Sequence, residues 1–332
     1  MKLGRLLRLV SVLTAPLLLA AAVAAADNAA APQPIDVYLI GGQSNATGQG
    51  YLKNLPPDFK IDTRVQLFNS GRPHLNSGAA PLTWVPLRQA SETPDRFGPE
   101  LGLGNRLQEL FPAHRIALIK HAHSGTDLVR NWAPGEKADD RTGWGPQWIT
   151  FVDTVDAGLK SLREQGYTPT LRGMVWQQGE NDADKGGPAA SEYGQNLAHF
   201  IARVREQFHA PDLLFVYGYV YPLPLPPPPK TVPGRDAVRQ AEHDVDQNSS
   251  SPLAVKGAFV IATDDLSHRA NDPGVAANLR NDHLHFGTAG MLELGQRMAE
   301  KLAHPGTAQP PTPGVTPTPP PAAGNSTATT GP

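Results

Sequence analysis

Two short segments of this chain hold the side chains for acyl chemistry. Gly42-Gln43-Ser44-Asn45 ends an apolar, β-branched run, Ile35–Gly42, and Asp282-His283-Leu284-His285 follows roughly 240 residues later. A serine hydroxyl is a poor nucleophile until a base takes its proton, and the base needs a third group to fix its tautomer and stabilise the imidazolium. The order Ser…Asp…His supplies all three types. Asp282, three residues before His285 on a tight turn, reaches Nδ1 and leaves Nε2 for Ser44; in an extended segment His283 points elsewhere, so it ranks below His285 as the base. The plainer readings are a helix N-cap serine and a solvated loop histidine. A phosphate cradle is weaker, because the P-loop spacing and its lysine are missing.

Further segments hold polar groups suited to such a centre. In Trp176-Gln177-Gln178-Gly179-Glu180-Asn181-Asp182 a glutamine amide can donate to a tetrahedral oxyanion, an interaction worth about 3 kcal/mol in comparable sites. Glu180 can orient a loop, bind substrate or compete as the triad acid. Gly125, in His123-Ser124-Gly125-Thr126-Asp127, can place a backbone N–H beside that of Ser44, and Trp132 is the tryptophan best sited to stack on a sugar ring. Each segment also reads as an ordinary turn.

These groups need a scaffold that brings them together. Apolar runs at Val37–Gly41, Val65–Asn69, Ile116–His121, Gly173–Gln177, Leu213–Tyr219 and Ala258–Ala262 read as strands covered on both faces. Helical patterns at Pro99–Phe111, Pro146–Glu164, Ala189–Gln207, Pro233–Gln247 and Thr288–Ala303 alternate with them, the signature of a parallel α/β sheet. In such sheets a site forms beyond the carboxyl ends of the strands, where Ser44, His121 to Gly125 and Gln177 to Asn181 fall. Tyr51–Arg64, Ser70–Phe97 and Tyr221–Pro233 are long loops rich in Gly, Pro or Ser that are expected to wall a cleft.

Composition narrows the setting. Lys2, Arg5 and Arg8 precede an apolar run and then Ala24-Ala25-Ala26, so residues 1–26 read as a cleavable signal peptide and the mature protein as secreted or periplasmic. Residues 27–34 read as a short leader, 35–303 as the catalytic domain, and 304–332, rich in Pro and Thr, as a disordered tail. No membrane association is expected after cleavage, and oligomeric state is not legible. The absence of cysteine excludes disulfides, thiol catalysis and thiolate metal sites. The formal net charge of −2, with both signs interspersed, gives no nucleic-acid face.

Taken in order, Gly42-Gln43-Ser44-Asn45, Phe97-Gly98-Pro99-Glu100, Ser124-Gly125-Thr126 with Trp132, Trp176 through Asp182, and Asp282-x-x-His285 with Phe286 and Gly290 resemble the SGNH hydrolase superfamily. Within it the chain is similar to the sialate O-acetylesterase-like group that includes family 6 carbohydrate esterases, the acetylxylan esterases. The resemblance implies a three-layer α/β/α sandwich with a five-stranded parallel sheet, and removal of acetyl groups from sugars through an acyl-serine, without a metal or other cofactor. It assigns Ser44 as nucleophile, His285 as base and Asp282 as its partner, with Ser44 N–H, Gly125 N–H and the Gln178 side chain lining the oxyanion hole. Gln43, Asn45, Glu180 and Trp132 are left to bind substrate or support the site. The expected partner is an acetylated carbohydrate. Two departures stand out: Gln178 replaces the superfamily's usual asparagine, as is normal in this group, and Ser124-Gly125 replaces a glycine pair.

Two rival readings are distinguishable. His121-x-His123 with Asp282, His283 and His285 would suit a zinc hydrolase, but it leaves the serine and glutamine segments without work. A glycan-binding module could use Trp84, Trp132, Trp144 and Trp176, but it has no need of a general base. A serine mechanism requires a neutral imidazole, so kcat/KM should rise with pH through the ordinary histidine range of about 6–7.

Overall fold

The computed structural model describes residues 32–71, 79–222 and 231–307. The expected signal peptide, residues 1–26, and nearly all of the Pro/Thr-rich tail lie outside them, as do parts of two of the long loops. Strand β1 spans Gln33–Gly42, so the last residues of the expected leader already pair in the sheet, Gln33 against Tyr167 and Pro34 against Thr168.

All six apolar runs form parallel strands. With β1 these are β3 (Gln66–Asn69), β6 (Ile116–Lys120), β7 (Tyr167–Gln177), β8 (Leu214–Gly218) and β9 (Ala258–Ile261). A two-residue strand β4, Val85–Pro86, pairs antiparallel with β3 at the edge. The sheet runs β4-β3-β6-β1-β7-β8-β9. It therefore has seven strands, six of them parallel, and the five-stranded expectation is corrected. Two residues are too few to show a period, and a proline is tolerated where the edge has no further partner, so β4 left no mark in the sequence. A separate ribbon pairs β2 (Gly50–Tyr51) with β5 (Arg96–Phe97) and stitches together the two long loops before the second half of the sheet.

The period-two alternation of a strand divides the core into two layers. Val37, Leu39, Ala117, Ile119, Met174 and Trp176 face one side; Tyr38, Ile40, Leu118, Val175 and Val216 face the other. Helices α3 (Pro146–Glu164), α6 (Tyr193–Gln207) and α7 (Val232–Val245) cover the first layer, and α2 (Glu100–Leu110) and α8 (Thr288–Ala303) the second. The helix expected over Ala189–Gln207 is interrupted: α5 (Gly187–Ser191) ends at Glu192, whose N–H returns to the Pro188 carbonyl before α6 begins. No helix among the described residues is long and apolar enough to cross a membrane.

The position of β1 decides where a site can form. It lies between β6 and β7. The chain leaves β1 to build the β3–β6 side, then crosses to build the β7–β9 side. The crevice of such a sheet opens at this switch, at the carboxyl ends of the strands. The ends of β1, β6 and β7 deliver Ser44, the His121–Asp127 loop and the Gln177–Asp182 segment there.

Candidate active site

β1 turns abruptly into a four-residue helix, α1, Ser44–Thr47. Gly42 makes this turn at φ +134°, and a Cβ on it would lie 2.2 Å from the Gln177 carbonyl oxygen. No other residue fits so close to the neighbouring strand in that conformation. Ser44 is consequently buried at the head of the turn, and its own N–H donates to no backbone carbonyl among the described residues. From the far side Lys120, at the end of β6, donates to the Thr47 carbonyl at 3.0 Å and to Glu100 at 2.6 Å. The other Glu100 oxygen accepts the N–H groups of Ala90 and Gly98. The Phe97-Gly98-Pro99-Glu100 motif thus serves to brace the serine turn.

Asp282 and His285 reach this turn from the loop before α8. His285 Nε2 lies 3.0 Å from Ser44 Oγ, and Nδ1 lies 3.0 Å from each oxygen of Asp282. Asp282 Oδ1 also accepts the N–H groups of Leu284 and His285, closing the tight turn anticipated from the spacing. His283 packs edge-on to His268 instead, with ring centroids 6.0 Å apart. Arg269 completes the array and had no signal in the sequence beyond being one arginine among many. Its Nε donates to Asp282 Oδ2 at 2.5 Å, and its Nη1 donates to Gln49 Oε1, which also accepts from Arg96. Burial works against a charge on Asp282. The hydrogen bonds and positive charge offered by His285 and Arg269 together outweigh it and hold the carboxyl well below the usual carboxylate range.

Gln178 departs from its expected role. Its Nε2 donates to Asp182 Oδ2 at 2.5 Å and to the Thr126 carbonyl at 3.0 Å, and Tyr193 donates to its Oε1. Both amide hydrogens are spent inside the protein, so the side chain is not available to an oxyanion. It ties the end of β7 to the Thr126 loop. Asp182 approaches Gln178 because residues 180–185 form a short helix, α4, which brings the residue four positions on beneath it. Gln43 is buried beside Gln178, its Oε1 facing Gln178 Nε2 and the Asn181 N–H at 3.4 Å each.

Trp132 is likewise corrected as a sugar-stacking surface. It is 0% exposed and packs edge-on to Trp176 with centroids 4.9 Å apart. Its Nε1 donates to Thr126 Oγ1 at 2.9 Å, and that hydroxyl donates to the His123 carbonyl. Trp132 therefore supports the loop bearing Gly125 from beneath. Trp84, Trp144 and Trp176 lie in or against the same core layer. Gly125 itself is exposed with φ +70°. Its carbonyl accepts from Asn181 Nδ2, and its N–H donates to no backbone carbonyl among the described residues. Asn45 is buried and bonds Glu180 at 2.9 Å as well as the backbone of the histidine loop.

The residues of the rival zinc reading are dispersed. Both ring nitrogens of His121 are engaged, Nδ1 with Ser70 Oγ at 2.8 Å and Nε2 with Gln147 Oε1 at 3.0 Å. Among the described residues no three His, Asp or Glu side chains are grouped to hold a metal ion.

Asp182 makes the protein's stability sensitive to pH. Burial is the main cause that raises its pKa to about 6, against the opposing pull of its Gln178 and Leu128 hydrogen bonds. The folded state therefore holds a proton that the unfolded chain has released, so this group's contribution falls as pH rises from about 4 to about 6, by up to about 3 kcal/mol. The expected result is that the melting temperature of wild type, measured relative to Asp182→Asn, declines across that window. An unchanged difference between pH 4 and 7 would contradict the assignment.

Comparison with known proteins places the chain. The family model described as carbohydrate esterase, sialic acid-specific acetylesterase matches residues 34–304. Among solved structures, a protein of Arabidopsis thaliana is similar at 19% identity, covering 81% of this chain and 98% of its own, with a TM-score of 0.57. NanS is similar at 15% identity, covering 82% of this chain and 97% of its own, with a TM-score of 0.54. At these identities the likeness is one of fold. A search of curated proteins found no match.

Proposed function

This chain belongs to the sialic acid-specific acetylesterase family of carbohydrate esterases and is a carboxylic ester hydrolase acting on O-acetylated carbohydrate; from that premise we propose that it works through an acyl-serine formed on Ser44. The observation that carries the reading is the unbroken line from Ser44 Oγ to His285 Nε2, and from Nδ1 to Asp282, each contact at 3.0 Å. Ser44 Oγ attacks the acetyl carbonyl as His285 takes its proton. The Ser44 and Gly125 N–H groups receive the developing oxyanion. The imidazolium then protonates the departing sugar oxygen, and water activated by the same imidazole releases acetate. Asp282 stays ionised throughout, which its environment favours.

The substrate we propose is an acetylated polysaccharide such as acetylxylan, or its oligomers, met outside the cytoplasm after export. The signal-like first 26 residues and the long loops leaving the strand ends support this. Acetate release from acetylated xylan, acetylated free sugars and O-acetyl sialic acid tests it. The expected order of kcat/KM places xylan and its oligomers first. A preference for O-acetyl sialic acid would replace the polysaccharide with the substrate that the family's description names.

A further inference from the structure

The distance between Ser44 and His285 has to be held by something that spans 241 residues of sequence. The imidazole's own contacts fix its ring but not the backbone that bears it. Asn45, directly after the nucleophile, makes the connection. Its Nδ2 donates to the Leu284 carbonyl at 3.2 Å, and its Oδ1 accepts the Phe286 N–H at 3.1 Å. The two bonds bracket His285 on either side. The second Nδ2 hydrogen goes to Glu180 Oε1 at 2.9 Å. An asparagine amide offers two donors and an acceptor oxygen, and every one is used here.

The Leu284 carbonyl and the Phe286 N–H fix which way this amide faces, and Glu180 takes the remaining Nδ2 hydrogen. If the Asn45 amide were reversed, its oxygen would meet the oxygens of Glu180 and Leu284, and its NH2 would meet the Phe286 N–H. Glu180 is 2% exposed, and its Oε2 has no hydrogen-bond partner among the described residues. Such an oxygen is costly to hold as part of a carboxylate. The neutral form, accepting through Oε1, is the less costly one there, in keeping with the upward shift that burial imposes.

We propose that Asn45 and Glu180 form a clamp that sets the backbone of His285 against the Ser44 turn, as positioning residues that never touch substrate. This assignment rests on the acyl-serine reading above. The Glu180 carboxyl acts in it as a neutral acceptor and not as a charge.

Steady-state kinetics on an acetyl ester, together with NMR of the 15N-labelled histidines, test it. Asn45→Ala, or Asn45→Ser if the alanine variant does not fold, is expected to lower kcat by about 100-fold while KM stays within about threefold, because a misplaced base costs rate and not affinity. Placed in a His285→Ala background, the same substitution is expected to cost nothing further. Glu180→Gln keeps the accepting oxygen and is expected to stay within about threefold of wild type with an unaltered pH profile, whereas Glu180→Ala loses about tenfold. The His285 ring signals should shift in Asn45→Ala and stay put in Glu180→Gln. A raised KM with unchanged kcat would make Asn45 a substrate contact. Glu180→Gln as damaging as Glu180→Ala, with a displaced pH profile, would show Glu180 acting by charge. An undiminished effect of Asn45→Ala without His285 would end the clamp. If wild-type turnover proves independent of Ser44, the acyl-serine reading fails instead, and the NMR shifts still report whether Asn45 holds the histidine.

Discussion

Ser44→Ala is expected to release acetate about 10⁶-fold more slowly than wild type, the loss seen when a triad nucleophile is removed. The change deletes one oxygen from a buried position and leaves the backbone of the turn as it was, because Gly42 and not Ser44 carries the unusual conformation. The lost hydroxyl contacts His285 Nε2 at 3.0 Å, so its loss unties the imidazole at one end only. The melting temperature should therefore stay close to wild type. His285→Ala should fall to a similar residual rate, and the double variant to no less, since nucleophile and base act as a unit. Acetate release measured beside thermal unfolding checks both halves. Retention of more than about a hundredth of wild-type kcat in Ser44→Ala would rule out the acyl-serine.

Asp282→Asn is expected to lower kcat by about 10⁴-fold. Asparagine is nearly the same size, so the turn survives, but its NH2 can donate to Nδ1. That choice moves the imidazole proton to Nε2, where it faces Ser44 Oγ as a donor and can no longer accept. The substitution has a second cost, in stability. The Asp282 and Arg269 side chains are only 11% and 9% exposed. Neutralising one partner leaves a buried guanidinium, a situation that costs about 3–5 kcal/mol.

The pH dependence of that cost has a definite sign. Because the Asp282 pKa is depressed in the folded state, its contribution is fully present above the ordinary carboxylate range. It is lost as pH falls through that range toward the lower folded value. The gap in melting temperature between wild type and Asp282→Asn should thus be widest near neutrality and close in strong acid. Arg269→Met added to Asp282→Asn should restore part of the stability and none of the activity. A single variant with normal kcat, or a gap that widens in acid, would contradict the arrangement.

How far the site was legible follows from the range over which its determinants act. Glycine before serine at a strand end and an acid three residues before a histidine are local patterns, and the structure brings Ser44, Asp282 and His285 within hydrogen-bond distance. The six parallel strands were legible for the same reason, since burial on both faces marks each strand within its own sequence. Gln178 was assigned the wrong partner because its amide direction depends on α4, a six-residue helix whose composition reads as a turn. Trp132 was assigned the wrong surroundings because a tryptophan with a polar edge suits a core and a sugar platform equally well. Only the packing of Trp176 and Phe200 against it tells them apart.

The order of chemical groups along the chain and the alternation of strands and helices were determined by the sequence itself, because each depends on neighbours a few residues away. Arg269 behind Asp282, Asn45 between Leu284 and Phe286, and the withdrawal of Gln178 from the reacting centre were decided by the tertiary structure alone. These are hydrogen bonds between buried polar groups, and a buried donor takes whichever acceptor the packing of distant segments leaves beside it.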